Sequence, residues 1–137
     1  MAIAREIMTP DPRCAAEDDT LVDAARMMKE LDVGALPICG EDGRLKGMLT
    51  DRDIVVKCLA EGGDPRQNTA GSLAQGRPVY VEAEDGVEEV LRLMKEHQIR
   101  RIPVIEDHEL VGIISQADVA LSLPLEATGE TVERISA

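Results

Sequence analysis

Apolar residues return along this chain with two alternating periods, and the alternation runs through twice. Leu21, Ala24, Ala25 and Met28 recur at i, i+3, i+4 and i+7, the spacing that lines one face of an α-helix. Val87, Val90, Leu91 and Met94 repeat it. Asp23, Arg26, Lys29 and Glu30 form the water-facing set, and Thr20 with Asp23 makes an N-cap pair. Met28 and Met94 read as core filler. After each helix the pattern switches to strand, turn, strand. Residues 35–39 and 45–49 flank Gly40-Glu41-Asp42-Gly43, where Asp-Gly signals a turn. Residues 101–105 and 110–114 flank Glu106-Asp107-His108-Glu109. Pro37 and Pro103 fall inside strands, which predicts edge or first-residue positions. A further helix follows from Thr50 and from Ser115; the first ends near Gly62-Gly63-Asp64-Pro65, the second before Pro124. Each pattern is preceded by a short lead-in (Arg5-Glu6-Ile7-Met8; Ser72-Leu73-Ala74) and an extended piece (13–15; 79–81).

The two patterns are copies of one unit. With a shift of 66 residues, Ala4 falls on Ala70, Pro12 on Pro78, Asp19 on Asp85 and Pro37 on Pro103. Arg26-Met27-Met28-Lys29-Glu30 lies over Arg92-Leu93-Met94-Lys95-Glu96. One residue is lost in the hairpin loop, and at a shift of 65 Leu45 meets Leu110, Gly47 meets Gly112 and Asp53 meets Asp118. A repeat of this kind is the first thing to establish, because it fixes the architecture. The predicted fold is α/β (α+β): tandem β-α-β-β-α repeats with pseudo-two-fold symmetry, small mixed sheets packed on helices. Repeat 1 with its lead-in takes 1–66, repeat 2 takes 67–124, and a polar, acidic tail takes 125–137.

Composition narrows the function classes. Of 137 residues one is Tyr and none is Phe or Trp, so the core is aliphatic and offers no aromatic platform for nucleic-acid bases. The formal charge is −12, which leaves no basic face for DNA or RNA. No apolar run reaches the roughly 20 residues that span a bilayer, and the N-terminus has no secretory h-region; the reading is cytoplasmic. Cys14, Cys39 and Cys58 form no CxxC and leave one over, so they read as small buried hydrophobes. A pairing of Cys14 with Cys39 stays open for a protein that meets oxidants.

The chemistry concentrates at two strand-to-helix junctions. Gly47-Met48-Leu49-Thr50-Asp51-Arg52-Asp53 is echoed by Gly112-Ile113-Ile114-Ser115-Gln116-Ala117-Asp118. Thr or Ser with a carboxylate three residues on is a capping box, which accounts for the spacing without any ligand. The same helix start, with free N–H groups and a hydroxyl, also suits a phosphate. The Asp can then accept from ribose hydroxyls.

Together the duplication, the Met8-Thr9-Pro10 lead-in, the apolar-Pro-apolar strands and the Gly-x-x-(Thr/Ser)-x-x-Asp junctions resemble the CBS-domain family, in its paired form called a Bateman module. The resemblance covers residues 1 to about 124, and the chain looks closest to the small stand-alone bacterial members. It implies a pseudo-two-fold module with clefts between the repeats, often dimerised into a flat disc. In many members AMP, ADP, ATP or another adenosyl ligand binds there. Carried over by position, Asp53 and Asp118 would hold ribose, with Thr50 and Ser115 near ribose or phosphate. Arg100 and Arg101 stand where nucleotide-binding members place phosphate ligands, and Leu36 and Ile102 would help wall the adenine.

The first copy departs from that pattern. Gly34 and Ala35 occupy the positions of Arg100 and Arg101, so that copy lacks an anion ligand unless Arg52 or Arg13 turns inward. Metal-ligand spacings, a nucleophile elbow and a GxxxxGK[ST] loop are absent. The expectations are therefore a non-enzymatic regulatory module with no obligatory cofactor and no metal. It would bind an adenine nucleotide, form a homodimer and signal to a separate, unidentified protein. The alternative is a ligand-free interaction or structural CBS dimer whose Thr50 and Ser115 act only as caps.

Overall fold

A computed structural model describes residues 2–74 and 78–122. Pro124 and the tail 125–137 lie outside the described residues. The chain forms two compact units, and contacts group them differently from the sequence repeats. One, the first-repeat unit, is Arg13–Pro78; the other, the second-repeat unit, joins Met1–Pro12 to Val79–Ala137.

The first-repeat unit contains β2 (Ala15–Ala16), α2 (Leu21–Leu31), β3 (Ala35–Cys39), β4 (Leu45–Thr50), α3 (Asp51–Asp53) continuing as a π-helix over Ile54–Leu59, and α4 (Ala70–Leu73). Its sheet has the order β2-β3-β4, parallel then antiparallel. Leu21, Ala24 and Met28 of α2 are buried against Leu36, Ile38, Leu49, Ile54 and Cys58. Ala25, assigned to that apolar face by its spacing, is exposed. Met27 packs on the core in its place, so the stripe is rotated toward the larger side chain.

The second-repeat unit contains α1 (Ala4–Ile7), β1 (Thr9–Pro10), β5 (Val81–Glu82), α5 (Val87–His97), β6 (Arg101–Glu106), β7 (Glu109–Ser115) and α6 (Gln116–Ser122). Its sheet runs β1-β7-β6-β5. Val81, Val90, Met94, Ile102, Val104, Ile114 and Val119 are almost fully buried together.

Each lead-in completes the unit of the other repeat, by the same bonds. Ala4 N–H donates to Asp85 O at 2.7 Å as Ala70 N–H donates to Asp19 O at 2.8 Å. Val87 N–H donates to Ala2 O at 3.0 Å as Leu21 N–H donates to Asn68 O at 2.9 Å. Periodicity reports which residues repeat; it does not report which copy a lead-in packs on.

The prolines correct one expectation. Pro37 and Pro103 lie in β3 and β6, which are central rather than edge strands. The physical requirement survives locally. The parallel neighbour pairs only from the next residue on, Ala15↔Ile38 in one unit and Val81↔Val104 in the other. At the proline itself each strand therefore has a ladder on one side only, where a missing N–H costs least.

Candidate functional site

Both junctions are held by the same ring of hydrogen bonds. At the end of β4, Asp53 N–H donates to Thr50 Oγ1 and Thr50 N–H donates to Asp53 Oδ2, each at 3.0 Å. At the end of β7, Asp118 N–H donates to Ser115 Oγ at 3.1 Å and Ser115 N–H donates to Asp118 Oδ2 at 2.8 Å. These are complete capping boxes, so one oxygen of each predicted ribose ligand is committed to its own backbone. The hairpins then set a second layer beside each helix start. Asp51 N–H donates to Gly34 O at 2.9 Å, and Gln116 N–H donates to Arg100 O at 2.8 Å. Cross-strand pairing sets Ala35 opposite Thr50 and Arg101 opposite Ser115.

The side chains on this shared frame differ. In the second-repeat unit, backbone pairing sets Arg100 and Arg101 beside the helix start that Ser115 and Asp118 cap. Both arginines are exposed, Ser115 and Asp118 are half-buried, and among the described residues neither arginine forms an ion pair. That is notable in a chain carrying 27 acidic residues against 15 basic ones. Asp118 Oδ1 makes no hydrogen bond or ion pair among the described residues. The arrangement offers two guanidiniums for an anion and one carboxylate oxygen for a hydroxyl donor.

In the first-repeat unit the corresponding backbone carries Gly34, Ala35 and Asp51. A Cβ added at Gly34 would stand 3.2 Å from Asp51 Oδ2, so a side chain at the place of the first arginine would press on a carboxylate. Asp53 Oδ1 is also taken, by Lys57 Nζ at 3.3 Å. Arg52 and Arg13 are exposed. Leu36 and Ile102, predicted to wall an adenine, are 1% and 0% exposed and belong to the cores of their units.

Sequence reasoning missed two discriminating residues, Asp51 and Lys57. The shift of 65 sets them against Gln116 and Ser122, so the signal was in the alignment of the copies. Ser122 Oγ donates instead to the carbonyls of Asp118 and Val119, at 3.2 and 3.1 Å, and leaves the Asp118 carboxylate alone.

A cavity of about 480 Å³ lies in the first-repeat unit, lined by Glu17, Asp18, Glu41 and Asp42 with Lys46 and Cys39. Four carboxylates against one ammonium do not suit a phosphate, and none of the predicted ligand residues borders it. Among the described residues, no group of three or more His, Cys, Asp or Glu side chains could hold a metal ion, and no helix is long and apolar enough to cross a membrane.

Two small mixed sheets, each with its own helices and each ending in a capped strand-to-helix junction, define a tandem α/β pair. The chain belongs to the CBS-domain family: the CBS domain model matches residues 4–59 and 70–124. It is 53% identical over 135 residues to Hypoxic response protein 1 of Mycobacterium tuberculosis, covering 98% of this chain and 94% of that protein. It is 39% identical to YlbB of Bacillus subtilis, over 89% of this chain and 82% of that one. The crystal structure of Hypoxic Response Protein I, which holds two coordinated zinc ions, matches with a TM-score of 0.84 at 54% identity, over 90% of this chain and all of that one. CBSX2, solved in complex with AMP, shares the fold at a TM-score of 0.77 and 24% identity, over 89% of this chain and 96% of that one.

Proposed function

We propose that this CBS pair is a cytoplasmic, non-catalytic regulatory module that binds an adenine nucleotide at the junction of the second-repeat unit. The observation that carries the reading is the Arg100-Arg101 couple beside Ser115, a couple that has no ion-pair partner among the described residues. Two guanidiniums that meet no carboxylate among the described residues are suited to bidentate contact with phosphate oxygens. The open oxygen of Asp118 is suited to a ribose hydroxyl. Binding at the first-repeat junction is weak or nil, because Asp51 and Lys57 close it. CBSX2 adds only that the fold accommodates AMP.

The module works as a homodimer that passes the bound state to a separate protein. Val55, Val56 and Leu59 along the π-helix are 54%, 42% and 51% exposed, an apolar strip that a second copy would cover. Light scattering at micromolar concentration should give twice the monomer mass.

The nucleotide test is calorimetric titration of the purified chain with AMP, ADP and ATP, together with melting curves. A ligand at 100 times its Kd should add about 2.7 kcal/mol of stability. Silence with all three nucleotides overturns the reading. The complete capping boxes would then support the second one, an interaction module in which Ser115 and Thr50 serve the fold alone.

A further inference from the structure

Cys14 and Cys39 come together in the first-repeat unit. Cys14 immediately precedes β2, and β2 pairs in parallel with β3 through Ala15↔Ile38 and Ala16↔Cys39. Residues 14 and 16 share one face of an extended chain, so Cys14 lies on the side of the sheet that Cys39 occupies, one diagonal step away. A register shift between Ile38 and Cys39 in the β3–β4 ladder turns the strand there, as bulges do when they re-aim a side chain. Each thiol shifts the ionisation of the other, Cys14 downward and Cys39 upward, as two neighbouring sulfurs do. Cys39 is buried and Cys14 half-buried, and both are present as thiols. The second-repeat unit has Tyr80 and Ile105 at these positions, so the pair is not required by the fold.

We propose that Cys14 and Cys39 form a redox-active dithiol that closes into an intrachain disulfide on reaction with a hydroperoxide, Cys14 reacting first and Cys39 resolving. The chemical asymmetry follows from the surroundings. The Cys39 thiol donates its hydrogen bond to the Cys14 sulfur, which favours the Cys14 thiolate. Cys39 is pushed the other way, by that same hydrogen bond, by burial and by the nearby Asp42 carboxylate. A partly exposed thiol whose ionisation is favoured, beside a buried thiol that stays protonated, is the arrangement in which one sulfur reacts first and the other resolves. Cys14 ionises, and its thiolate attacks the terminal peroxide oxygen: an S–O bond forms, the O–O bond breaks, and the departing hydroxide or alkoxide takes up the proton that Cys14 released. Cys39 sulfur then attacks the sulfenic sulfur: an S–S bond forms, the S–O bond breaks, and the hydroxide leaves as water with the Cys39 proton. Two thiols are oxidised to one disulfide, and one peroxide is reduced to two waters, or to an alcohol and a water.

The test treats the full chain, wild type and Cys58→Ala, with hydrogen peroxide, followed by intact mass and non-reducing peptide mapping. The expected result in both is loss of two hydrogens and one linked pair of peptides, Cys14 with Cys39. Dithiothreitol should reverse the link, and the oxidised form should melt several degrees higher because the cross-link restricts the unfolded chain. In Cys39→Ser, Cys14 should accumulate as a sulfenic acid trapped by dimedone. Before oxidation, Cys14 should react with iodoacetamide about tenfold faster than Cys39 or Cys58. A wild-type chain that keeps all its thiols, that stops at Cys14 sulfinate with Cys39 untouched, or that links through Cys58 overturns the proposal.

Discussion

In the first-repeat junction Thr50 and Asp53 close a capping box over a Gly34 carbonyl; in the second, Ser115 and Asp118 close the same ring beside an Arg100 carbonyl. The main chains agree bond for bond, while the side chains point to different chemistry. One junction sets the Asp51 carboxylate against the glycine that replaces the first arginine and ties Asp53 to Lys57. The other leaves two guanidiniums and a carboxylate oxygen without protein partners among the described residues. The unit without the arginines carries the paired thiols, and the unit with them has Tyr80 and Ile105 there instead. A capping box keeps the fold in both copies. It does not specify what else a junction does, which is why the motif by itself could not decide between a cap and a ligand site.

The largest effect that separates the shared frame from the divergent side chains is in the cores. Met94 is 0% exposed and Met28 is 6%, at equivalent places on α5 and α2. Met94→Ala should cost about 3 kcal/mol by thermal or urea denaturation, with Met28→Ala somewhat less, from lost transfer and residual cavity. Equal nucleotide affinity in either variant, measured well below its unfolding midpoint, would confirm that the core carries the frame alone. A loss of binding in Met28→Ala but not in Met94→Ala would assign the ligand to the wrong junction.

Next in size is the arginine couple. The double variant Arg100→Ala with Arg101→Ala should lose about 100-fold in nucleotide affinity, near 2.7 kcal/mol, the scale of one to two charge-assisted hydrogen bonds. Its melting temperature without ligand should stay close to wild type, because neither side chain has a protein partner among the described residues. Asp118→Ala should lose affinity and also about 1 kcal/mol of cap stability. Unchanged affinity in the double variant removes the distinction between the junctions.

The converse experiment rebuilds the poor junction. Gly34→Arg, Ala35→Arg, Asp51→Gln and Lys57→Ser copy the second-repeat residues onto the same backbone. Asp51 has to go with Gly34, since a new Cβ would meet its carboxylate at 3.2 Å. The expected gain is a second binding event, detected as a stoichiometry rising from one toward two, with at least tenfold tighter binding at that junction, about 1.4 kcal/mol.

Much of this was legible in the sequence. Helical spacing located α2 and α5, the Asp-Gly turn located the first hairpin, and Thr/Ser-x-x-Asp located both caps, because each signal is local and periodic. The exchange of lead-ins was not legible: Ala4 with Asp85 is a contact between distant residues, and the repeat makes both packing choices read alike. The central position of Pro37 and Pro103 was hidden for the same kind of reason, since strand order is set by tertiary pairing. The π-helix over Ile54–Leu59, seen in Ala60 N–H donating to Val55 O at 2.8 Å, differs from an α-helix by one residue per bond, too little for hydrophobic spacing to resolve.

The hairpins offer a smaller contrast. In the first, the left-handed position is held by Gly43 at φ +77°, at no steric cost. In the second, Asp107 and His108 take φ +53° and +69°, where a side chain is strained. His108→Gly should therefore stabilise the protein by about 0.5 kcal/mol, the relief of strain less the added chain entropy. Gly43→Ala should destabilise it by a comparable or larger amount. Two denaturation curves measure both.

The smallest effect concerns the lead-ins, which share backbone bonds but not charges. Arg5 on α1 pairs with Glu84 and with Glu106 at the end of β6, whereas the equivalent residues of the other lead-in and unit are Gly71, Asp18 and Gly40. The guanidinium holds the Glu106 carboxyl below the usual 4.5. A carboxylate whose folded value is depressed adds stability above its unfolded value and loses it as the pH falls through the folded one. The ion pair should thus help α1 dock at pH 7 and lose that help progressively as the pH falls below about 4.5 toward the depressed folded value. The groups are exposed, so the contribution is at the low end for surface pairs. Arg5→Ala should lower the melting temperature slightly at pH 7, and the difference from wild type should shrink as the pH drops below 4.5 or as salt is added. Hydrogen exchange at the Arg5 and Ala4 amides should quicken in the variant, while Ala70 and Gly71, docked without any ion pair, keep their rates. A difference that persisted in acid would mean that Arg5 acts through the packing of its stem and not through its charge.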